Sequence, residues 1–458
     1  MNNEDQIENR TYDEIRLGDT ASLTRTLTAH DVQLFALSSG DSGDGIAHGA
    51  WTCGLISALI GTELPGAGTA YLSQSFDFAR PVAIGDAITA TLVVTEKRDN
   101  FGSVLLDCQC RNAVGETVLA GRVEVQAPRE KIRRARMAPP DIVIPSHDRY
   151  RHLIEQTHSQ SPLATAVAHP CSPQAIAAAA EAAEAGLIAP ILIGPEKKLR
   201  SAAEEAGCDI SAFRLVAADH SHDAAARAVE LVRCGEAGLL MKGSLHTDEL
   251  MSAVINAASG LRTERRISHA YVMDVPGHPV PLIITDAAVN IMPSLKDKAD
   301  IIRNAIDLAH VIGLAEPRVA ILSAVETVNP DLPSTLDAAA LCKMADRGQI
   351  VGGVLDGPLA FDNAISEAAA REKGIASSVA GKAEILVVPN IEAGNMLAKQ
   401  LTFLGGADAA GVVLGARVPI VLTSRADSLR TRLASCAIAV LLARAAPKAA
   451  PGPLRANP

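Results

Sequence analysis

Residues 384–396, EILVVPNIEAGNM, join a short run of aliphatic residues directly to polar ones. The aliphatic run predicts a buried β-strand that ends at Pro389, and the residues after it predict a turn that leads into a helix. Continuous apolar strands that alternate with Ala-rich helical segments indicate a mainly parallel sheet with helices on both faces. The same alternation extends over much of the chain, with further candidate strands at 188–194, 238–241, 281–285 and 319–323.

The strand–helix alternation covers residues 149–443. A region of this length predicts two α/β lobes with a ligand site in the cleft between them. Residues 444–458 are rich in Pro and Ala and are predicted to be a disordered tail. The prolines and arginines of residues 127–148 predict a linker, whose basic side chains would face solvent in preference to a ligand phosphate.

Residues 12–126 carry a different pattern, with short alternating runs such as 88–95 and 103–110 between Gly and Asp residues. Such runs are typical of antiparallel strands, and residues 112–116 predict a hairpin turn. The apolar stretch 49–59, GAWTCGLISAL, is longer than a typical strand and is predicted to be a buried helix. The N-terminal region is therefore expected to be an α+β domain in which an antiparallel sheet surrounds a central helix.

Composition and charge exclude several classes of function. The formal net charge is −10 and aromatic residues make up 3%, which disfavours attraction to nucleic acid or acidic membranes and stacking on bases. The eight Cys residues form no CxxC pair, which indicates reduced thiols in a cytoplasmic protein. The polar first ten residues do not resemble a signal peptide, and the longest apolar stretch, 436–443, is too short to span a bilayer. We therefore expect no nucleic-acid or membrane partner.

Polar residues follow several candidate strands, which is where open α/β sheets bind their ligands. Arg and Lys bind phosphate oxygens, Ser donates to a reacting carbonyl, and a carboxylate orients a cation or accepts a proton. Helix capping is the alternative role for Asp427, and Asn390 and Glu392 could likewise be turn and first-turn residues. Neither GxGxxG nor GxxxxGK[ST] occurs, so spacing alone predicts an α/β protein with an anion-binding cleft. The candidate residues are Lys242, Ser244, His246, Thr247, Asn390, Glu392, Asn395, Ser424, Arg425 and Asp427.

Five stretches resemble, in the same order, segments of the phosphate acetyltransferase/butyryltransferase family. The resemblance covers residues 150–443 and implies a two-lobe α/β subunit similar to the isocitrate dehydrogenase scaffold. It also implies a homodimer or a higher homo-oligomer, and catalysis without a metal or a permanently bound cofactor. The stretches are MKGSLHTD (241–248), SAVETVNP (323–330), DGPLAFD (356–362), VPNIEAGNM (388–396) and TSRAD (423–427).

This resemblance implies transfer of a short acyl group between coenzyme A and inorganic phosphate, through attack of the coenzyme A thiolate on an acyl phosphate. Ser424 and Arg425 match the family's catalytic motif and would stabilise the carbonyl oxygen and the phosphate. Asp427 is the nearest candidate for the thiol base of acetyl-specific members, although it follows Arg425 more closely than in their pattern. The local motif resembles the butyryl-type branch, and the other candidate residues would line the substrate cleft.

The N-terminal region resembles a MaoC-like hot-dog domain, the fold of the (R)-specific enoyl-CoA hydratases. This resemblance implies that both parts of the chain handle coenzyme A thioesters. The matching segments are FALSSGD (35–41), IAHG (46–49), LPGAGTAYL (64–72) and FARPVAIGD (78–86).

The catalytic loop of these hydratases, DxNPxH, is incomplete in this chain. Asp41 stands at the Asp position, but the Asn-Pro pair and the His do not follow, as though part of the loop had been deleted. His48 could rebuild a dyad with Asp41 or Asp44, whereas the alternative is a packed histidine at the start of a helix. Loss of one acid–base partner commonly lowers a rate by about 10²–10⁴-fold, so a weak or inactive hydratase is expected.

Three functions follow from these observations. The first is acyl transfer between coenzyme A and phosphate by the C-terminal region, with acyl-CoA and phosphate as the partners. The second is enoyl-CoA hydration by the N-terminal region. The third is a non-catalytic scaffold that binds acyl-CoA, which the Ser424–Arg425 pair disfavours because a scaffold does not need it.

Overall fold

The structure is a computed structural model that describes residues 6–40, 46–99, 101–135, 148–157, 161–422 and 428–445. The chain divides into two compact units, Met1–Ile144 and Pro145–Pro458. Of the helices in these described ranges, none combines the length and the apolar character that a bilayer crossing requires.

The N-terminal unit contains a five-stranded antiparallel sheet with the strand order β2-β4-β5-β6-β3. Helix α2 buries Ile56 and Leu59 against sheet residues such as Leu92 and Leu106 in a shared apolar core. The elements are β1 (Gln6–Glu8), β2 (Thr20–Thr26), α1 (Ala29–Ser39), α2 (Gly49–Thr62), β3 (Ala70–Phe78), β4 (Ala87–Arg98), β5 (Ser103–Asn112), β6 (Thr117–Gln126) and β7 (Arg133–Ala135).

The sequence predictions for this unit are confirmed at the level of its elements. The runs 88–95 and 103–110 lie in β4 and β5, and the stretch 49–59 lies in α2. The predicted hairpin turn joins β5 to β6, where the N–H of Asn112 donates to the carbonyl of Glu116 at 3.0 Å. An antiparallel sheet packed on a central helix is therefore what the structure shows.

The linker predicted for residues 127–148 is wrong in its first part. Strand β7 pairs antiparallel with β1, so residues 133–135 belong to the N-terminal unit. Lys131 Nζ lies 2.9 Å from a carboxylate oxygen of Glu8 and 2.8 Å from one of Glu14. These ion pairs hold Lys131 on the N-terminal unit. Both acidic partners are more than one hundred residues away in sequence, so the local sequence around Lys131 does not indicate them. The rest of the predicted linker, residues 136–147, lies outside the described residues.

The eleven strands in the described residues of the C-terminal unit form one sheet, with the order β10-β9-β8-β11-β18-β17-β12-β13-β16-β14-β15. The elements are α3 (Asp148–Glu155), β8 (Leu163–Ala168), α4 (Pro173–Glu184), β9 (Ile188–Gly194), α5 (Glu196–Ala206), β10 (Arg214–Ala217), α6 (Ser221–Arg233), β11 (Leu239–Lys242), α7 (Thr247–Ile255), β12 (Ser268–Asp274), β13 (Leu282–Thr285), α8 (Leu295–Val311), β14 (Arg318–Leu322), α9 (Pro333–Asp346), β15 (Val354–Leu359), α10 (Phe361–Ile365), α11 (Glu367–Glu372), β16 (Ile385–Val387), α12 (Ile391–Phe403), β17 (Asp408–Leu414), β18 (Ile420–Val421) and α13 (Leu429–Ala445).

The sheet is mainly parallel, as the sequence predicts, and it runs through the whole described part of the unit. The five strands predicted from apolar runs are present as β9, β11, β13, β14 and β16. However, the junctions β18–β17, β17–β12 and β12–β13 are antiparallel. The sheet therefore continues without a break, and its two parallel halves run in opposite directions on either side of β17 and β12.

The register at the centre brings the carboxyl ends of the two halves to the same level. Ile420 of β18 pairs with Leu240 of β11 on one side and with Val413 of β17 on the other. Ala270 of β12 pairs with the residue before Val413 and with Thr285, the last residue of β13. Loops that follow strands of both halves consequently meet near the middle of the sheet, where ligands of such folds bind.

Substitution of Gly121 is expected to destabilise the N-terminal unit. A Cβ at this position would lie 2.0 Å from the Ser75 carbonyl oxygen, so β3 and β6 could not keep their spacing. Gly121→Ala should lower the free energy of unfolding by at least about 2 kcal/mol. Gly54→Ala is the matched control, because no atom lies within 4 Å of its Cβ position in α2, and it should stabilise by about 0.5–1 kcal/mol.

Denaturant unfolding followed by tryptophan fluorescence measures this difference. Trp51 is the single tryptophan of the chain and is buried in the core of the N-terminal unit, so its signal reports that unit. Equal unfolding midpoints for the Gly121→Ala and wild-type proteins would contradict the packing of β3 on β6.

Candidate active site

A cavity of about 590 Å³ lies in the C-terminal unit, where the carboxyl ends of the two halves of the sheet meet. Lys242, Ser244, His246 and Thr247 all line it, and their predicted contact with substrate stays a prediction. The residues that line this cavity, called the central cavity below, are Ser172, Gln174, Ala175, Ala178, Lys242, Gly243, Ser244, Leu245, His246, Thr247, His269, Tyr271, Ala288, Leu422 and Arg432.

The loop after β11 supplies the polar wall of the central cavity. It runs from Lys242 to His246, and helix α7 begins at Thr247. The N–H of His246 donates to the Glu249 carboxylate at 3.2 Å, which fixes the start of the helix. A helix N-terminus together with a lysine favours a bound anion, because unpaired N–H groups and the helix dipole both stabilise negative charge.

Ser244 joins this loop to the loop that follows β8. Its hydroxyl donates to the His169 carbonyl at 2.7 Å and accepts from the Cys171 N–H at 3.0 Å. At Gly243 a Cβ would lie 2.5 Å from the Ala168 carbonyl oxygen, so the two loops touch backbone to backbone. The structure thus gives Ser244 a positioning role, and its predicted contact with substrate stays a prediction.

The residues predicted at the start of α12 do not line the central cavity. Asn390 caps the helix, with its side-chain oxygen accepting from the Ala393 N–H at 3.0 Å. Glu392 lies in the first turn of the helix. Asn395 donates through Nδ2 to the Ala287 carbonyl at 3.3 Å, next to Ala288 of the cavity wall. The alternative for Glu392, a first-turn residue, is what the structure shows, and Asn390 is a helix cap.

The predicted catalytic residues Ser424, Arg425 and Asp427 lie outside the described residues. Leu422, which ends the preceding described segment, lines the central cavity.

Sequence reasoning missed His269 and Tyr271, which point from β12 into the central cavity. The rings lie edge to face, with centroids 4.4 Å apart. His269 is 2% exposed, and its Nδ1 has no hydrogen-bond partner among the described residues. Burial lowers the pKa of His269 to about 4, although the Asp286 carboxylate acts in the opposite direction. The side chain is therefore a neutral imidazole at physiological pH, and a single His within a strand gives no sequence signal of this.

His169 and Arg432 were also missed. His169 follows β8 with φ of 52°, a left-handed conformation that residues with a Cβ seldom adopt, and burial lowers its pKa. Arg432 reaches the central cavity from α13, where its Nη2 lies 2.6 Å from a Glu181 carboxylate oxygen. An arginine on a helix gives no sequence signal that distinguishes it from a solvated side chain.

Three cysteines of this unit are kept as thiols by burial. Cys171 precedes Ser172 of the cavity wall, and burial raises its pKa to about 11, although Lys198 acts in the opposite direction. Burial raises the pKa of Cys342 and of Cys436 to about 12.

In the N-terminal unit, His48 is the N-cap of α2. Its Nδ1 accepts from the Ala50 N–H at 3.1 Å, and its ring stacks on Phe35 with centroids 4.8 Å apart. A histidine at the start of a helix was the alternative to a hydratase dyad. Asp41 and Asp44, its possible partners, lie outside the described residues.

Comparisons with known proteins bear on the C-terminal unit. Residues 216–440 match the family described as phosphate acetyl/butaryl transferase. A phosphate acetyltransferase of Rhizobium meliloti is 65% identical over 295 residues, which are 64% of this chain and 93% of that relative. The chain belongs to the phosphate acetyl/butyryl transferase family. The branched-chain phosphotransacylase of Enterococcus faecalis V583 has a solved structure with 30% identity and a TM-score of 0.54, covering 61% of this chain and 99% of its own.

A third comparison concerns the N-terminal unit. The unliganded R-hydratase PhaJ1 of Pseudomonas aeruginosa is 37% identical over 30% of this chain and 99% of its own, with a TM-score of 0.30. A TM-score this low does not assign the unit to that fold family. None of these comparisons supports the predicted likeness to isocitrate dehydrogenase.

The buried neutral His269 is expected to make the stability of the C-terminal unit depend on pH. Its pKa is lower in the folded than in the unfolded chain, so the unfolded chain takes up a proton first as the pH falls. The stabilisation is complete above about pH 6.5 and is lost as the pH falls towards about 4. His269→Gln keeps a polar side chain in the cavity, and the amide it introduces does not titrate.

Urea unfolding followed by circular dichroism at about pH 7.5 and about pH 5 measures this effect. The loss of unfolding free energy between the two pH values should be smaller in His269→Gln than in the wild type. The same loss in both proteins would show that His269 is not held neutral by burial.

Proposed function

We propose that the C-terminal unit of this chain transfers a short acyl group between coenzyme A and inorganic phosphate in the central cavity. The observation that carries the proposal is the 65% identity to a phosphate acetyltransferase over 93% of that relative. The geometry supports it, because Lys242, Arg432 and the start of α7 supply cationic and N–H groups to one cavity. Acyl phosphate and phosphate are anions that such groups bind.

In the direction of acyl-CoA formation, the coenzyme A thiolate attacks the carbonyl carbon of the acyl phosphate. A carbon–sulfur bond forms, the carbon–oxygen bond to phosphate breaks, and phosphate leaves with the electron pair. In this proposal Arg425 stabilises the phosphate and Ser424 donates to the carbonyl oxygen. Asp427 accepts the thiol proton, and Lys242 with the α7 N-terminus adds positive potential.

The fraction of coenzyme A that is already thiolate limits how much a base can add to the rate. With the pKa of a free cysteine thiol, about 8.5, as the reference for coenzyme A, a few per cent is thiolate at neutral pH. Complete deprotonation would raise the rate by only about thirtyfold, or about 2 kcal/mol. Positioning of the thiol and stabilisation of charge in the central cavity must therefore supply most of the acceleration.

The acyl chain is proposed to be short, from acetyl to butyryl. The cavity wall includes the small or aliphatic residues Ala175, Ala178, Leu245 and Leu422, which suit an aliphatic acyl group. An added methylene in such a pocket changes discrimination by about 1–3 kcal/mol, so a graded preference among chain lengths is expected. The homodimer implied by the sequence resemblance stays a prediction.

Phosphate-dependent release of coenzyme A from acetyl-, propionyl- and butyryl-CoA tests the proposed function. The wild type should release it only when phosphate is present. Arg425→Ala should lower kcat/KM by about 10²–10³-fold, because one preorganised charge at the transition state is lost. A thiol-reactive chromophore measures the release.

Arg417→Ala is the matched control, because it removes the same charge eight residues away. Arg417 lines a separate cavity of about 510 Å³ and not the central cavity. Equal loss in both variants would contradict the role of Arg425. Tight acyl-CoA binding by a wild type that shows no release with any substrate would instead favour a non-catalytic scaffold.

The N-terminal unit is proposed to be a MaoC-like hot-dog domain with impaired hydratase activity. Support comes from the antiparallel sheet packed on α2 and from His48, whose Nδ1 is engaged in capping that helix. A capping Nδ1 keeps the imidazole from serving as a freely oriented proton acceptor.

Crotonyl-CoA hydration by the full chain is expected to remain at the uncatalysed rate, measured by the loss of enoyl absorbance. Asp41→Ala should leave that rate unchanged. Hydration above background that Asp41→Ala abolishes would show that the missing loop is compensated elsewhere in the chain.

A further inference from the structure

Arg432 and Glu181 form an ion pair that joins helix α13 to helix α4 beside the central cavity. Arg432 lies in the first turn of α13 and lines the cavity, and Glu181 lies on α4. The Arg432 Nη2 lies 2.6 Å from a Glu181 carboxylate oxygen, and the two side chains are only 19% and 29% exposed. A contact this short between partly buried partners holds the guanidinium in one orientation.

The carboxylate of Glu181 needs an explanation, because the cavity is otherwise suited to anions. The described residues with a full charge that line it, Lys242 and Arg432, are both cations. A negative charge beside them opposes the binding of phosphate unless it is compensated. Pairing with the guanidinium at 2.6 Å provides this compensation, so the carboxylate adds little repulsion at the position of a bound anion.

What the ion pair supplies is order. An unpaired arginine side chain samples many rotamers, whereas one edge of this planar guanidinium is fixed by Glu181. Lys242 is held in a similar way, because its Nζ donates to the carbonyls of Gly243 and Leu245 at 3.3 Å. Both cations of the cavity wall are thus placed before a substrate arrives, as electrostatic stabilisation of a reacting group requires.

We infer that Arg432 binds phosphate oxygens of the substrate and that Glu181 is a positioning residue, which keeps Arg432 directed into the central cavity. A planar guanidinium suits this role, because it can donate two parallel hydrogen bonds to a phosphate group. The inference rests on the proposed function, in which inorganic phosphate is a substrate. Because coenzyme A also carries phosphate groups, the test has to distinguish the two substrates.

Steady-state release of coenzyme A, with phosphate and acetyl-CoA varied separately, tests the role of Arg432. Arg432→Gln should raise KM for phosphate by about tenfold to a hundredfold, as expected for the loss of a hydrogen-bonded charge. KM for acetyl-CoA should stay unchanged. The matched control is Arg430→Gln, which removes an arginine of the same helix that pairs with Asp408 and should change neither constant.

The same kinetics test the positioning role of Glu181. Glu181→Gln keeps the size of the side chain and an oxygen that accepts a hydrogen bond, so α4 and α13 can keep their packing. It should raise KM for phosphate by about threefold to tenfold, the cost of ordering one long side chain on binding. It should leave kcat and KM for acetyl-CoA unchanged, and have no further effect in an Arg432→Gln background. Glu184→Gln, at an exposed position of the same helix, is the control.

Three results would overturn the inference. A lower KM for phosphate in Glu181→Gln would show that the carboxylate competes with phosphate for Arg432. Equal increases in KM for phosphate and acetyl-CoA would show that the pair only joins the two helices or that Arg432 serves coenzyme A. Unchanged kinetics in Arg432→Gln would show that the guanidinium does not contact phosphate.

Equilibrium dialysis with radiolabelled inorganic phosphate separates this inference from the proposed function. A wild type that binds phosphate but transfers no acyl group would refute the proposed activity. Weaker phosphate binding by Arg432→Gln and by Glu181→Gln would still support the roles of the two residues. Equal binding by the three proteins, or no binding by the wild type, would overturn them.

Discussion

The geometry of the C-terminal unit depends on two central strands that run against their neighbours. In a purely parallel sheet all carboxyl ends lie at one edge, whereas two opposed parallel halves would place theirs at opposite edges. The ladders of β12 with β17 and β13 remove this separation, because Ala270 and Thr285 are paired neighbours. Since side chains alternate along a strand, a slip by one residue would turn His269 and Tyr271 away from the cavity.

The sequence predicts much of this fold but not its centre. Apolar runs identify β9, β11, β13, β14 and β16, because strands buried on both faces are apolar throughout. Strand β12 carries His269 and Tyr271, and β17 begins DAAG, so neither reads as such a run. The direction of pairing between distant segments has no local signal, and for that reason one continuous sheet with opposed halves was not foreseen.

The residues of the candidate site also fall into a group that the sequence predicts and a group that it does not. Polar residues that directly follow a strand, such as Lys242 and His246, are predictable because the carboxyl ends of strands face the ligand. Residues that reach the cavity from a strand interior or a helix, such as His269 and Arg432, depend on tertiary packing. The start of α12 shows the converse case: Asn390 has the residue type of a ligand-binding group, and in the structure its side chain caps a helix.

The high pKa of Cys171 affects how readily this protein thiol reacts with an acyl donor. Acyl phosphates and thioesters acylate thiolates, and this cysteine precedes a residue of the central cavity wall. With a pKa of about 11, its thiolate fraction near neutral pH is roughly 300-fold below that of a thiol whose pKa is about 8.5. The greater nucleophilicity of a more basic thiolate recovers only about tenfold of this difference. Burial thus lowers the reactivity of this thiol towards an acyl donor in the central cavity.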